Sequence, residues 1–186
     1  MRQTIIRYLS VVLFAAAASL QPAQLMAAAN WAEIDQLQEQ GKFADIPAKL
    51  DVIIQQAQQQ AANKDWRDAL LLRANISFSQ DAEETLDKLI NSSWPKDQDS
   101  QLLLNLHLGA YINQYIQRLS WQINQREKID TDKSLSFKQK TMTQLRADAH
   151  AAFSKAYRLS LQRNDPITRI NTMPLKQASA YFTKSD

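Results

Sequence analysis

The two histidines are the side chains that could bind a metal ion or transfer protons near neutral pH. His107 and His150 each lie in a predicted helix, and neither has a histidine, a cysteine or a paired carboxylate three or four residues away. Two metal ligands on one helix stand at such a spacing, because residues three or four positions apart share a face. His107 also stands in an apolar run, which favours a core histidine. We therefore predict no metal site.

Two groups of carboxylates could suggest general acid–base chemistry. They are Asp81 with Glu83 and Glu84, and Asp97 with Asp99. Both groups stand at predicted helix starts, where acidic side chains cap backbone N–H groups and favour the positive end of the helix dipole. We interpret them as caps. The sequence contains no phosphate-binding loop, serine nucleophile motif or zinc motif. It predicts no enzyme, no catalytic residue and no cofactor.

The tryptophans and the absence of cysteine bear on ligand binding and on stability. Trp31, Trp66, Trp94 and Trp121 could form an aromatic ligand cleft, but large aromatic side chains more commonly anchor a core, and we predict that role. The absence of cysteine excludes disulfides, thiolate metal sites and cysteine nucleophiles. Packing alone must therefore hold the fold together.

The first 29 residues have the order of a secretory signal peptide. Arg2 and Arg7 precede an apolar run at 9–20, and small residues follow at 27–29. The alternative is an uncleaved anchor, but the run is shorter than the ~20 residues that a spanning helix needs. We predict cleavage after Ala28 or Ala29. The mature chain would then be periplasmic or secreted and would not span a membrane.

Length and charge set further limits on the mature chain. Residues 30–186 number about 157, enough for one domain with a substantial core. The whole chain has a formal charge of +3, and the signal peptide carries two of those positive charges. The remaining Lys and Arg residues are interspersed with carboxylates, so the sequence predicts no nucleic-acid partner. It does not predict an oligomeric state.

The pattern downstream predicts an all-α domain over 30–163, built of about six helices in antiparallel hairpins. Glycine occurs only twice and proline five times, as expected of a helical domain. Apolar residues recur three and four positions apart in six segments. These segments lie at about 30–40, 44–63, 64–78, 81–90, 98–127 and 136–162, with a polar loop at 128–134 and a tail at 164–186 after the helix-ending Asn164-Asp165-Pro166.

Several residues predict where these helices begin, end and face the core. Asn30, Asp45 and Asp81 are expected caps, and Gly41 is the expected left-handed residue after helix one. Helix five is apolar over much of its circumference, so we predict that it is central and that Leu106 is buried. The predicted core faces of helices two, four and six comprise Ile46, Leu50, Ile53, Ile54, Ala57, Ala61, Leu86, Leu89, Ile90, Met142, Leu145, Ala149, Ala152, Phe153, Ala156 and Leu159.

Two segments, 40–46 and 64–70, look like the turn of a tetratricopeptide repeat. In the first, a glycine ends one helix and an aromatic residue follows to pack the turn. The aromatic residues Phe43 and Trp66 stand about 23 positions apart, whereas the repeat measures about 34. The fold is therefore predicted to be either an irregular bundle of generic hairpins or a short, degenerate tetratricopeptide-like solenoid.

The opening of the chain resembles that of the large bacterial alpha-2-macroglobulin-like proteins. The features that carry the resemblance are the signal peptide, Trp31-x-x-Ile34, Gln40-Gly41-x-Phe43, the stripe from Lys49 to Ala57, and Leu70-Leu71-Leu72-Arg73-Ala74. In the tail, Thr172-Met173-Pro174-Leu175 and Tyr181-Phe182 resemble the join to the next domain in that family. Together these features extend over most of residues 30–186.

The resemblance implies an exported helical region that precedes β-sandwich macroglobulin domains. Family members inhibit endopeptidases through a bait region and, in many cases, a Cys–Gln thioester, neither of which maps onto this sequence. We therefore expect a fragment, a non-catalytic module whose partner is a protein: a neighbouring domain or an envelope protein. The alternative is a free-standing periplasmic adaptor that binds a protein or peptide in a concave groove.

Overall fold

A computed structural model describes the backbone of residues 22–126 and 135–163, and the side chains of these ranges from Asn30 onward. Helical residues make up 82% of this described part, which contains no strand, so the predicted all-α fold is confirmed. The helices are α1 (Pro22–Glu39), α2 (Ile46–Gln59), α3 (Asn63–Phe78), α4 (Ala82–Asn91), α5 (Gln98–Asn124) and α6 (Met142–Leu161). Of the predicted leader at 1–29, residues 1–21 lie outside it, as do the loop at 128–134 and the tail at 164–186, whereas residues 22–29 form the start of α1.

The first two helices form an antiparallel hairpin held by polar side chains. The Asn30 amide donates to Gln56 Oε1 at 2.7 Å, and Lys49 pairs with Glu33 at 2.7 Å. The prediction that Asn30 caps helix one is wrong, because α1 already begins at Pro22 and Asn30 lies within it. The side chain of Asn30 therefore fastens α1 to α2.

In the turn between α1 and α2, the prediction that Gly41 is left-handed is confirmed, and the prediction that Asp45 caps the next helix is wrong. Gly41 has φ +69°, and the Lys42 N–H donates to Leu37 O at 2.9 Å, as in a left-handed helix end. Asp45 directly precedes α2, but its side chain makes no capping bond. The reason is that Asp45 closes a 3₁₀ turn, Phe43–Asp45, and already has helical dihedral angles.

α2 ends earlier than the apolar pattern predicts. Ala61 is exposed, with φ +52°, and is not a core residue of the helix. The Ala62 N–H donates to Ala57 O at 2.9 Å, which closes the left-handed turn. Three residues connect α2 to α3, and within this short turn an alanine adopts the left-handed conformation that is more common for glycine.

α4 begins as the sequence predicts, with Asp81 Oδ1 accepting the Glu84 N–H at 2.8 Å. The buried face of α4 differs from the predicted one at position 90. Leu86 and Leu89 are buried, but Ile90 is 42% exposed, and the core takes Thr85 instead. The helix presents its 85–86–89 side to the core, which turns the side chain at position 90 toward solvent.

α5 and α6 form the most extensive helix pair and run antiparallel. The Gln98 amide donates to Leu159 O at 2.8 Å, and Lys155 donates to Gln101 Oε1 at 3.1 Å. Asp99 near the start of α5 pairs with Arg163 after the end of α6. The start of one helix therefore lies beside the end of the other.

The predicted sixth helix at 136–162 is in fact two elements. A 3₁₀ turn at Phe137–Gln139 comes first, and α6 begins only at Met142. The break occurs at Thr141, whose backbone N–H donates to Gln144 Oε1 at 2.8 Å while its hydroxyl accepts the Gln144 N–H at 3.4 Å. This reciprocal capping box starts a new helix. The apolar stripe of α6 is buried or half-buried as predicted.

α5 is central as predicted, but it is rotated relative to the predicted core. Leu102, Leu104, Ile112 and Tyr115 are fully buried, whereas Leu106 is 37% exposed, so the prediction that Leu106 is a core residue is wrong. The apolar residues of α5 occupy more of its surface than its neighbours can cover. Packing against α3, α4 and α6 therefore decides which side is buried.

Candidate functional site

A polar network joins α4, α5 and the segment before α6. The Tyr115 hydroxyl donates to Glu83 Oε1 at 2.5 Å, and Arg126 Nη2 lies 2.9 Å from the same oxygen. Arg126 Nη2 also donates to the Tyr115 oxygen at 2.7 Å. A carboxylate, a phenol and a guanidinium in mutual contact are the chemically most distinctive cluster in the described part of the chain.

The electrostatics of this network favour a structural role over proton transfer. Burial, reinforced by the hydrogen bond to Glu83, raises the pKa of Tyr115 to about 12. A phenol with such a pKa stays protonated at neutral pH and acts as a hydrogen-bond donor. The Glu83 carboxylate in turn receives both the phenol and the guanidinium.

Arg126 extends the network to both sides of the segment 127–134. Its Nη1 donates to Phe137 O at 2.9 Å and to Lys140 O at 3.1 Å. Asp87 of α4 accepts the Phe137 N–H at 3.0 Å, and the Phe137 side chain is fully buried. The chain after the segment is thus fixed onto α4 and α5. Sequence reasoning missed this network because its partners are far apart in the chain and show no periodicity.

A second buried ionic cluster lies within α3. Arg67 and Asp68 are both buried, and Arg67 Nε donates to Asp68 Oδ1 at 2.7 Å. Lys64 Nζ donates to Asp68 Oδ2 at 2.8 Å. One carboxylate therefore receives two cations, an arrangement that compensates its burial. Adjacent opposite charges in the sequence are too common to have predicted it.

The histidines occupy separate environments. His107 is half-buried, with its ring centroid 5.9 Å from that of Tyr111, and burial lowers the pKa of His107 to about 4. It is a neutral packing residue, as the sequence predicts. His150 is exposed on α6. Within the described ranges, no three His, Cys, Asp or Glu side chains are grouped so that they could hold a metal ion.

The carboxylates that suggested acid–base chemistry act as caps and ion-pair partners. Asp81 caps α4, and Asp97 Oδ1 accepts the Ser100 N–H at 2.9 Å at the start of α5. Glu84 pairs with Lys88 at 2.7 Å, and Asp99 pairs with Arg163. The capping interpretation of Asp81 and Asp97 is confirmed.

Three of the tryptophans pack partly against the core, and the fourth does not. Trp31, Trp66 and Trp94 are half-buried, and the Trp94 indole donates to Leu89 O at 2.8 Å. Trp121 is 75% exposed, so its predicted role as a core anchor is wrong. It projects from the α5 surface that no described helix covers.

A polar groove of about 400 Å³ lies between α2, α3 and α4. Leu70 and Leu89 contribute apolar surface to it. Four of its five charged side chains form two pairs, Arg73 with Asp51 and Lys88 with Glu84, and the fifth, Asp81, caps α4. The groove has the size for a short peptide segment but presents few uncompensated charges to bind one.

The solvent side of α6, here called the α6 outer face, combines exposed apolar and basic side chains. Tyr157 and Leu161 expose 63% and 67% of their surface. Arg146 and Arg158 are also exposed, and neither forms an ion pair or hydrogen bond with another described residue. The α6 outer face consists of the exposed residues Arg146, Ala147, His150, Ala151, Tyr157, Arg158 and Leu161.

Comparison with protein-family models, with curated proteins and with solved structures gives no match for this chain. The resemblance to alpha-2-macroglobulin-like proteins therefore stays a prediction. Among the described helices, none has the length and the apolar character that crossing a membrane requires.

Proposed function

We propose that this chain is an exported, non-catalytic helical module, the N-terminal scaffold of an alpha-2-macroglobulin-like protease inhibitor. In this proposal the inhibitory domains lie outside the chain, and the helices dock on a neighbouring domain or on an envelope protein. The signal-peptide order of the first 29 residues supports export. The resemblance of the opening segments supports the family.

The observation that carries the proposal is the α6 outer face. Tyr157 and Leu161 are large, mostly exposed, and one helical turn apart on the last described helix. Tyr and Arg are enriched where proteins bind one another, and Arg146 and Arg158 are exposed on either side of them. An exposed surface of this composition fits a module whose work is association.

The polar clusters form their bonds within the chain, which also supports a scaffold role. Glu83, Tyr115 and Arg126 hold α4, α5 and the start of the segment before α6 together, and Arg67 and Asp68 compensate each other inside α3. These groups contribute to stability through bonds within the chain. A reaction would have to break those bonds before the same groups could act on a substrate.

A free-standing periplasmic adaptor is the second candidate, and the groove between α2, α3 and α4 favours it. Its volume of about 400 Å³ suits a few residues of an extended peptide. The paired charges of the groove weigh against strong binding, because a ligand would have to displace Asp51 from Arg73 or Glu84 from Lys88.

Two measurements test the proposal. The DNA after codon 186 is expected to continue in frame into β-rich sequence with a Cys-x-Glu-Gln motif; a stop codon followed by an unrelated gene would favour the adaptor. Amino-terminal sequencing of the periplasmic protein is expected to begin at Ala29 or Asn30. Recovery of the chain in the membrane fraction with Met1 retained would contradict export and cleavage.

A further inference from the structure

We infer that the α6 outer face docks an acidic, apolar segment of a partner protein. This inference rests on the proposed function and adds the chemistry of the partner. Tyr157 and Leu161 are four positions apart, so their side chains are neighbours and form one apolar patch on the helix surface. Arg146 and Arg158 are also exposed, toward the two ends of the helix, and they lie about 120° apart around its axis, on either side of this patch.

The charge of the α6 outer face is of one sign. Asp148 is the one carboxylate of α6, and it accepts a hydrogen bond from Lys140 at 2.8 Å instead of pairing with either arginine. Residues 101–124 of α5 include no Asp or Glu, and Asp99 at the start of that helix pairs with Arg163. A segment that covers this face must therefore supply its own carboxylates to pair with Arg146 and Arg158.

The face is held in place before any partner arrives. The C-terminal end of α6 is fastened to α5 by the Gln98–Leu159 hydrogen bond of 2.8 Å and by the Asp99–Arg163 ion pair. In the middle of the pair, Phe153 packs directly on Gly109. Since these contacts fix the helix, binding costs little ordering of the backbone.

Three other occupants fit the face less well. A second copy paired antiparallel about a two-fold axis near position 152 would place Arg146 opposite Arg158, so that like charges meet. The chain's own residues 164–186 carry three basic and two acidic side chains, which do not complement the arginines. Binding to an anionic membrane would gain only about 1 kcal/mol of binding free energy for each of the two arginines.

The test uses two synthetic amphipathic peptides that have the same leucine and phenylalanine face. The polar face of one peptide is glutamate, and that of the other is lysine. Titrated into the mature chain, the glutamate peptide is expected to bind at least tenfold more tightly. The double variant Arg146→Glu, Arg158→Glu should reverse this preference. The double variant Lys42→Glu, Lys49→Glu makes the same change in net charge at exposed positions of the α1–α2 hairpin, away from α6, and it should keep the preference.

Several results would overturn the inference. The first is equal affinity for both peptides. The second is reversal of the preference by the Lys42 and Lys49 control. The third is arginine-dependent binding of phosphatidylglycerol vesicles without binding of the glutamate peptide. A dimer in sedimentation that Tyr157→Asp dissociates would identify a second copy as the occupant. Circular dichroism of each variant separates loss of binding from loss of folding. Failure of these peptide tests would leave export and the proposed family untouched, because the reading frame and the periplasmic amino terminus are measured independently.

Discussion

The ring of Phe153 in α6 lies directly on Gly109 in α5. A β-carbon built on Gly109 would lie 2.8 Å from Cε1 of that ring, closer than two carbon atoms pack. The two helices can approach this closely because position 109 has no side chain. The same contact holds the aromatic ring at the edge of the α6 outer face.

The Gly109–Phe153 contact predicts that Gly109→Ala is destabilising in the wild-type chain, by about 1–3 kcal/mol for overpacking, despite the better helix propensity of alanine. In a Phe153→Leu background the same substitution should be neutral or stabilising, because the ring is gone. Thermal unfolding of the four proteins in this double-mutant cycle measures the coupling. An identical effect of Gly109→Ala in both backgrounds would mean that the ring does not restrict position 109.

Removing the guanidinium of the polar network should destabilise the fold strongly. Arg126→Met removes the cation that pairs with Glu83 and the donor to the carbonyl oxygens of Phe137 and Lys140, at an expected cost of about 2–4 kcal/mol. Tyr115→Phe removes one hydroxyl from the same network and should cost only about 1 kcal/mol. Urea unfolding measures both values, and equal costs for the two variants would show that Arg126 is not the organising group.

His107 predicts a loss of stability in mild acid. Burial lowers its pKa in the folded chain to about 4, below the ordinary value of 6.5, so the unfolded chain takes up the proton first. Above pH 6.5 the neutral His107 contributes its full share to the free energy of unfolding. As the pH falls toward 4 this share is lost, and the loss amounts to about 2 kcal/mol at pH 5.

The matched variant for this prediction is His107→Gln, which cannot titrate. Its free energy of unfolding should fall less than that of the wild type between pH 7.5 and pH 5. The difference between the two proteins isolates His107 from the carboxylates, which titrate in both. Parallel curves for the two proteins would contradict the lowered pKa of His107.

Two leucines of α5 are expected to respond very differently to the same substitution. Leu102 is fully buried, so Leu102→Asp places a carboxylate without a partner in the core, at a cost of several kcal/mol. Leu106 is 37% exposed, and Leu106→Asp should cost about 1 kcal/mol or less. For a domain of this size, the difference between these two costs separates the melting temperatures of the variants by roughly 10 °C. Equal melting temperatures would contradict the observed rotation of α5.

Local signals in the sequence predicted three helix ends and failed at two: Asn30 lies within α1, and the Asp45 side chain makes no capping bond. Gly41, Asp81 and Asp97 do what their chemistry favours at helix termini. The predictions failed where tertiary structure decides. The pattern could not indicate which side of α5 is buried, because apolar residues surround that helix, and it placed Leu106 in the core.

The polar clusters show the same limit for the candidate site. The Arg126–Glu83 pair joins residues far apart in the sequence, so no local spacing reveals it. The α6 outer face was hidden for a different reason. In the sequence, Arg146, Tyr157 and Arg158 look like residues of an ordinary solvent-exposed helix face. Only the packing of α6 on α5 shows that no described element covers them.

Cysteine accessibility in living cells can test export and docking together, because the natural chain has no cysteine. Ala151→Cys introduces a thiol on the α6 outer face, and Val52→Cys introduces one on the exposed side of α2. Each variant is labelled with a maleimide that enters the periplasm but not the cytoplasm, in intact cells and again after purification.

The proposed function predicts that Val52→Cys is labelled at the same rate in cells and in purified protein. Ala151→Cys should be labelled at least fivefold more slowly in cells, because a partner covers α6 there. Absence of labelling at both positions in cells would contradict export. Equal rates for Ala151→Cys in cells and in purified protein would contradict the assignment of the α6 outer face as a docking surface.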